Sequence, residues 1–149
     1  MPESTAPERL TRKTTSIAQL LATRVRDTPD REAYRYPVGD QWRSMTWRQA
    51  GERVKAIAAG LLSLGLHREE RVGILCNTRV EWLLCDLGIL QAGGATTTVY
   101  PSSTAEECAF ILADSVSSGG VGEDEGAVTI PGVETGENCP FNVLFESRT

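Results

Sequence analysis

The stretch that decides the fold spans residues 71–101 and has the sequence RVGILCNTRVEWLLCDLGILQAGGATTTVYP. It opens with an apolar run at residues 72–76, bounded by polar residues, which is typical of a strand buried on both faces. Apolar residues then recur at helical spacing over residues 79–91, and Gly93-Gly94 ends that helix. Residues 96–100 return as a second strand. The pattern predicts two parallel strands joined by a helix in a right-handed crossover.

Two further helices and a hairpin are predicted upstream, and one helix downstream. Ser16 opens the first helix, and Thr46 with Gln49 forms a capping box for the second, which ends at Gly65. Between them, residues 33–36 and 41–45 alternate around the turn sequence Pro37-Val38-Gly39-Asp40, which favours a β-hairpin. Ser103 with Glu106 is the predicted cap of the last helix, which runs to about Asp114. The fold class is therefore α/β: a parallel βαβ unit with flanking helices and a small hairpin.

The helix over residues 79–91 carries apolar residues on two sides. One stripe can cover its own sheet, while Trp82, Cys85 and Ile89 form a second stripe at the same spacing. A helix that is apolar on two sides is normally covered on two sides. We therefore expect the Trp82 stripe to be covered by protein beyond this chain, and the two strands to leave exposed edges.

Charge and composition divide the chain into three parts. Residues 1–15 are polar and predict a disordered arm, residues 16–115 form an incomplete α/β subdomain, and residues 116–149 form a Gly-rich, acidic tail that is expected to be disordered. The first 115 residues hold 14 acidic and 14 basic side chains, whereas the tail holds six acidic side chains and one basic. Glycine weakens strands, so the sequence VSSGGVG at 116–122 predicts no third strand.

Composition also excludes several classes of function. No basic face is present that would bind nucleic acid, and an acidic tail would repel phosphates. No apolar run reaches the length of roughly 18–20 residues that a membrane span needs. The four cysteines are unevenly spaced, which is a poor disulfide framework. Together with an N-terminus that does not resemble a secretory signal, this predicts a cytoplasmic protein.

Four stretches resemble the N-terminal region of the adenylate-forming acyl-CoA ligases, in the long-chain-fatty-acid–CoA ligase branch. They are SIAQLLATRVRDTPDREAYRY, MTWRQAGERVKAIAAGLLSLGL, ERVGILCNTRVEWLLCDLGILQAGG and VYPSSTAEECAFILADS, which together cover roughly residues 16–115. The N-T-R-x-E-W sequence at residues 77–82, followed by the Y-P-S-S sequence at residues 100–103, is what points to this branch.

The resemblance implies a reaction in two steps that uses ATP, Mg²⁺ and coenzyme A. A fatty acid and ATP give an acyl-adenylate and pyrophosphate, and coenzyme A then displaces AMP. This chemistry needs a Ser/Thr/Gly-rich loop with a lysine that opposes the phosphate charge. No such loop occurs in the 149 residues, and the only lysines are Lys13 in the arm and Lys55 on a helix. We therefore assign no catalytic, cofactor-binding or metal-binding residue, and expect the chain to be truncated and inactive alone.

Several residues invite a functional interpretation, and a structural one is stronger for each. The glycines at 119–122 lack G-x-G-x-x-G spacing and precede three carboxylates, so a phosphate loop is disfavoured. Those carboxylates, residues 123–125, are more typical of a solvated run than of a cation site. Cys76 and Cys85 have the wrong spacing for zinc. His67 lies in a polar turn without triad partners, and Tyr100 with Pro101 shapes a turn at a strand's carboxyl end.

Three functional interpretations remain open from the sequence. The first is an N-terminal fragment of a ligase, from a decayed gene, a frameshift or a real truncation. The second is a non-enzymatic interaction module, and the third is one subunit of a split ligase. The expected partners are the missing remainder of the ligase, or a second copy bound through the Trp82 face.

Overall fold

The structure is a computed structural model that describes residues 16–115, 117–122 and 142–145. The predicted arm and most of the predicted tail, including the carboxylates at 123–125, lie outside the described residues. The boundaries of the arm, subdomain and tail therefore stay predictions.

The described chain contains four helices and six strands. In order they are α1 (Ile17–Asp27), β1 (Glu32–Val38), β2 (Gln41–Thr46), α2 (Trp47–Ser63), β3 (Arg71–Leu75), α3 (Val80–Gln91), β4 (Ala95–Val99), α4 (Ala105–Asp114), β5 (Ser117–Gly122) and β6 (Asn142–Phe145). Strands β1 and β2 form an antiparallel hairpin, and the other four form one sheet in the order β4-β3-β5-β6. The predicted α/β class and hairpin are confirmed.

Local sequence sets the ends of the helices. The Ser16 hydroxyl accepts the Gln19 N–H at the start of α1, and Thr46 with Gln49 makes the predicted capping box at the start of α2. After α2, Gly65 has φ of 95° and donates to the Leu62 carbonyl, while Leu66 N–H donates to the Leu61 carbonyl. This pair of bonds is the Schellman motif, which turns the chain sharply out of a helix. Gly93 and Gly94 repeat the same arrangement after α3.

The sheet contains a third parallel strand that the sequence analysis did not expect. β3 pairs in parallel with β4 on one side and with β5 on the other, and β6 pairs antiparallel with the far edge of β5. The prediction of a two-stranded core is therefore wrong, and so is the expected open edge of β3. The outer edge of β4 has no partner strand among the described residues, as expected. Glycine offers no side chain to pack, but its backbone N–H and C=O groups pair as well as those of other residues. Backbone pairing with β3 on one side and β6 on the other outweighs the low strand propensity of Gly119 and Gly120.

The main core lies between one face of the sheet and helices α1, α2 and α3. Cys85 and Ile89 are 1% and 0% exposed, and Trp82 is half-buried against the same core. The expectation that this stripe needs cover from other protein is wrong for Cys85 and Ile89, because α2 packs closely on α3. A Cβ on Gly88 of α3 would lie 2.5 Å from Ile57 Cγ2 of α2, so the missing side chain is what allows this approach.

Helix α4 begins one residue later than predicted. Its cap is Thr104, whose hydroxyl accepts the Glu107 N–H, while the Glu107 carboxylate accepts the Thr104 N–H. The pairs Ser103/Glu106 and Thr104/Glu107 fit the capping pattern equally well. The Ser103 N–H, however, closes a turn on the Tyr100 carbonyl at 2.9 Å, so the helix can start only after it.

Candidate functional site

The topology places a crevice at the carboxyl ends of β3 and β4. Val72 and Ile74 of β3 point into the core beneath α1–α3, whereas Gly73 and its register partner Thr97 point to the opposite face, where α4 lies. Helices α3 and α4 thus leave neighbouring strands toward opposite faces of the sheet. In parallel sheets, ligands bind where the connections diverge in this way. We call this region, formed by residues 76–79 and 100–104, the carboxyl-edge crevice.

The β3 side of the crevice presents a guanidinium group. Arg79 is the N-cap residue of α3 but gives no side-chain cap; its Nε donates instead to Glu81 Oε2 at 3.0 Å. Glu81 lies in the first turn of α3, where a carboxylate is favoured by the helix dipole. The Arg79 side chain remains 36% exposed, so this ion pair leaves part of the guanidinium open to solvent.

The β4 side presents an aromatic ring. Tyr100 is 69% exposed, and its carbonyl accepts the Ser103 N–H to close a four-residue turn. Pro101 occupies the second position of that turn, where its fixed φ is favourable. The prediction that Tyr100 and Pro101 shape a turn at the carboxyl end of a strand is confirmed.

Beneath α4, three hydroxyl groups connect across the sheet. Ser115 Oγ lies 2.7 Å from Ser117 Oγ, which donates to Thr97 Oγ1 at 3.3 Å. The bond joins β5 to β4 across β3, where Gly73 is the register partner of Thr97 and Arg71 is that of Ser117. On the other face of β4, Thr96 Oγ1 is buried without a partner in the described residues. This cluster was not predicted; the three consecutive threonines at residues 96–98, which must place hydroxyl groups on both faces of a strand, were the available signal.

The residues weighed from the sequence do not converge on the crevice. Gly119 and Gly120 are strand residues whose backbone pairs with β3 and β6, which leaves no cradle of free N–H groups for a phosphate. His67 is exposed in the turn after α2, where its backbone N–H donates to Glu70. Cys76 and Cys85 are buried in the core, and Lys55 is exposed on α2.

The charged and polar groups of the described residues lie at or near the surface. No charged or polar residue in the described ranges is fully buried, and no three His, Cys, Asp or Glu side chains there are placed to hold a metal ion. On the hairpin, the Ser44 hydroxyl and the Arg35 guanidinium lower the pKa of Glu32. The described residues therefore do not fit ATP with Mg²⁺.

The matches to known proteins decide the family. A profile described as "AMP-binding enzyme" matches residues 21–139. The chain belongs to the AMP-binding enzyme family. Its curated relatives in the family include the long-chain-fatty-acid–CoA ligase FadD15 of Mycobacterium bovis, 35% identical over 100 residues, and the ligase ACSBG2 of Xenopus laevis, 35% identical over 96 residues. These matches cover 67% and 64% of this chain, but 17% and 13% of the ligases.

The uncharacterized protein Rv1549 of Mycobacterium tuberculosis is a shorter relative than these ligases. This chain is 35% identical to Rv1549 over 101 residues, and the match covers 68% of the chain and 56% of Rv1549. Rv1549 is therefore far shorter than the ligases.

Solved structures confirm that this chain has the fold of the N-terminal subdomain of adenylate-forming ligases. The fatty acyl-adenylate ligase from L. pneumophila superposes with a TM-score of 0.66 at 23% identity, covering 71% of this chain and 19% of the ligase. The N-terminal subdomain of Klebsiella oxytoca NpsA gives a TM-score of 0.67 at 22% identity, covering 77% and 29%. None of the helices that the structure describes is long and apolar enough to cross a membrane.

Proposed function

We propose that this chain forms the first structural part of a long-chain-fatty-acid–CoA ligase and makes no acyl-adenylate alone. The observation that carries the proposal is its 35% identity to FadD15 over 100 residues, which are 17% of that ligase. The chain holds the opening helices, the hairpin and the parallel strands. Its sequence holds no lysine-bearing phosphate loop, since Lys13 and Lys55 are its only lysines.

The role of these residues in such a ligase would be to position other parts of the enzyme. The buried core between α1–α3 and the sheet gives a fixed platform, and the crevice presents Tyr100 and Arg79 at one edge. When bound, ATP with Mg²⁺ would supply the activation of the fatty acid, and coenzyme A would supply the thiol that accepts the acyl group. The described residues offer neither a nucleophile with a base nor a set of cation ligands for them.

Two proteins test the proposal. The full chain is incubated with ATP, Mg²⁺, labelled pyrophosphate and a panel of fatty acids, and we expect no fatty-acid-dependent label in ATP. In a chimera, the 100 matched residues of FadD15 are replaced by those of this chain, and we expect exchange to persist, with FadD15 as the reference. Exchange by the chain alone, or a soluble chimera without exchange, would refute the proposal.

A second candidate function is a non-enzymatic interaction module, and the short relative Rv1549 is the observation that favours it. The third arrangement is a split ligase, in which a second polypeptide carries the remaining parts. Self-association through the Trp82 face is a fourth, but Trp82 packs partly against the core, so only part of its side chain is available to a second copy. A gene for a ligase-type polypeptide next to the gene of this chain would favour the split ligase over the module.

A further inference from the structure

Helix α4 is the least buried helix of the described chain. None of its residues is buried, although its sequence AEECAFILAD is mostly apolar. Cys108, Ile111 and Leu112 are half-buried over β4 and β5, while Phe110 on the outer side is 70% exposed. A large aromatic ring in this position gives up most of the stabilisation that burial could contribute.

Phe110 lines an open groove of about 510 Å³. We call this groove the α4 surface; it is lined by Ser103, Glu106, Glu107, Phe110 and Ile111. An apolar centre with a polar rim is the usual anatomy of a protein interface.

The rim of the α4 surface is acidic. Glu106 and Glu107 line the groove, Asp114 lies at the end of the helix, and α4 carries no lysine or arginine. The Glu107 carboxylate accepts the Thr104 N–H in the helix cap. Of the two carboxylates that line the groove, Glu106 is the one that takes no part in this cap. The complementary surface would therefore be apolar at its centre with lysine or arginine beside it.

The lengths of the relatives indicate what covers this surface. The matched segment is 17% of FadD15 and 13% of ACSBG2, so more than four fifths of each ligase lies outside it. On the α4 side of the sheet, the described chain supplies a single ten-residue helix. The other face is covered by three helices and is fully buried at Val72 and Ile74.

We propose that the α4 surface docks the part of an AMP-binding ligase that follows this segment, with Phe110 as the central anchor and Glu106 facing a basic side chain. This inference rests on the proposed function and adds the docking surface to it. The same surface serves whether that part follows in one longer polypeptide or comes from a second one.

The test compares two equally exposed aromatic residues in two settings. Phe110 on α4 and Trp42 on β2 are both 70% exposed. Phe110→Asp and Trp42→Asp are made in the full chain alone and in the FadD15 chimera, and Tm is measured for each. We expect Phe110→Asp to leave the Tm of the chain alone nearly unchanged and to lower that of the chimera by several degrees. Trp42→Asp should change Tm equally in both settings.

A second measurement uses separate polypeptides. The full chain is co-expressed with FadD15 lacking its matched segment, and the complex is recovered through a tag on the chain. We expect Phe110→Asp to weaken binding about tenfold or more, as for a central interface residue. Glu106→Lys should weaken binding most at low salt, while Glu52→Lys, on the exposed side of α2, should not.

The outcomes separate this inference from the proposed function. A stable, active chimera that is indifferent to Phe110→Asp would overturn the docking surface and leave the proposed function intact. A chimera that lacks exchange, but whose Tm is lowered by Phe110→Asp, would overturn the proposed function and support the docking surface. If neither the chimera nor co-expression gives soluble protein, or if the chain alone forms a dimer that Phe110→Asp dissolves, the docking inference is wrong.

Discussion

At the scale of single residues, Glu69 has a backbone conformation that its side chain disfavours. It has φ of 67°, the one positive φ among the described non-glycine residues. It is the third residue of a turn that Glu70 N–H closes on the His67 carbonyl. A positive φ at the third position is typical of type II turns, which favour glycine there. The side chains of Arg68 and Glu69 are almost fully exposed and lie 4.0 Å apart at their charged atoms, a pair that contributes little.

Glu69→Gly is therefore expected to raise the free energy of unfolding by about 1 kcal/mol, because relief of the left-handed strain exceeds the added chain entropy. Urea denaturation measures the change. Arg68→Gly is the matched control in the same turn; it has no positive φ to relieve and should be destabilising. Equal effects of the two substitutions would show that the turn is not strained at Glu69.

Glu32 makes the stability of the hairpin depend on pH. Hydrogen bonds from Ser44 and Arg35 lower its folded pKa below the ordinary value of 4.5. The carboxylate thus stabilises the fold above pH 4.5, and this contribution is lost as pH falls through the lower, folded pKa. Glu32→Gln should reduce Tm at pH 7, and the difference from the parent should vanish at more acidic pH. Glu52→Gln is the control at pH 7: it removes an exposed carboxylate of α2 that makes no ion pair with the described residues, so it should change Tm little.

At the scale of elements, the contact between α2 and α3 depends on Gly88. A methyl group there would meet Ile57 Cγ2 at 2.5 Å and Ile57 Cβ at 2.9 Å. Ile57 is β-branched and 3% exposed, so it has little freedom to move away. The close approach of the two helices is what buries the second stripe of α3.

Gly88→Ala should lower the free energy of unfolding, although alanine favours helix by about 1 kcal/mol, because overpacking costs about 1–3 kcal/mol. Chemical denaturation of the single and double variants tests this. In the Ile57→Gly background both of these contacts are removed, so Gly88→Ala should become neutral or stabilising. An additive pair would mean that the two residues do not meet.

The same elements show how far the sequence predicts the fold. Caps and helical spacing are local, so Thr46 with Gln49 and the end of α2 at Gly65 were predicted correctly. The burial of Cys85 and the strand pairing of Gly120 depend on residues far along the chain. Hydrophobic periodicity and strand propensity are local properties, so they do not predict such contacts. The hydroxyl bond from Ser117 to Thr97 needs the strand order itself. The turn at Tyr100 was predicted because Pro101 acts locally; the crevice beside it was not.

At the scale of the whole molecule, the two faces of the sheet differ in kind. The face beneath α1–α3 is an apolar core, whereas the face beneath α4 shows Gly73 and a chain of hydroxyl groups. Burial of apolar area is the main favourable term in folding. The stability of the chain should therefore come mainly from one side.

Amide hydrogen exchange should reveal this asymmetry. The amides of β3 and those of Gly119 and Gly120 in β5 should be strongly protected, because both strands are paired on two sides. The amides of α4 should exchange far sooner, through local opening. Rapid exchange at residues 119–120 would contradict the third parallel strand.

The sparse burial of α4 has a consequence inside a cell. Opening of that helix would present the continuous segment Phe110-Ile111-Leu112 to chaperones and proteases, which engage transiently exposed apolar chain. Docking of a partner over Phe110 would hold the segment closed. Unassembled copies would then be degraded while assembled copies persist, so the abundance of this chain would depend on the presence of its partner.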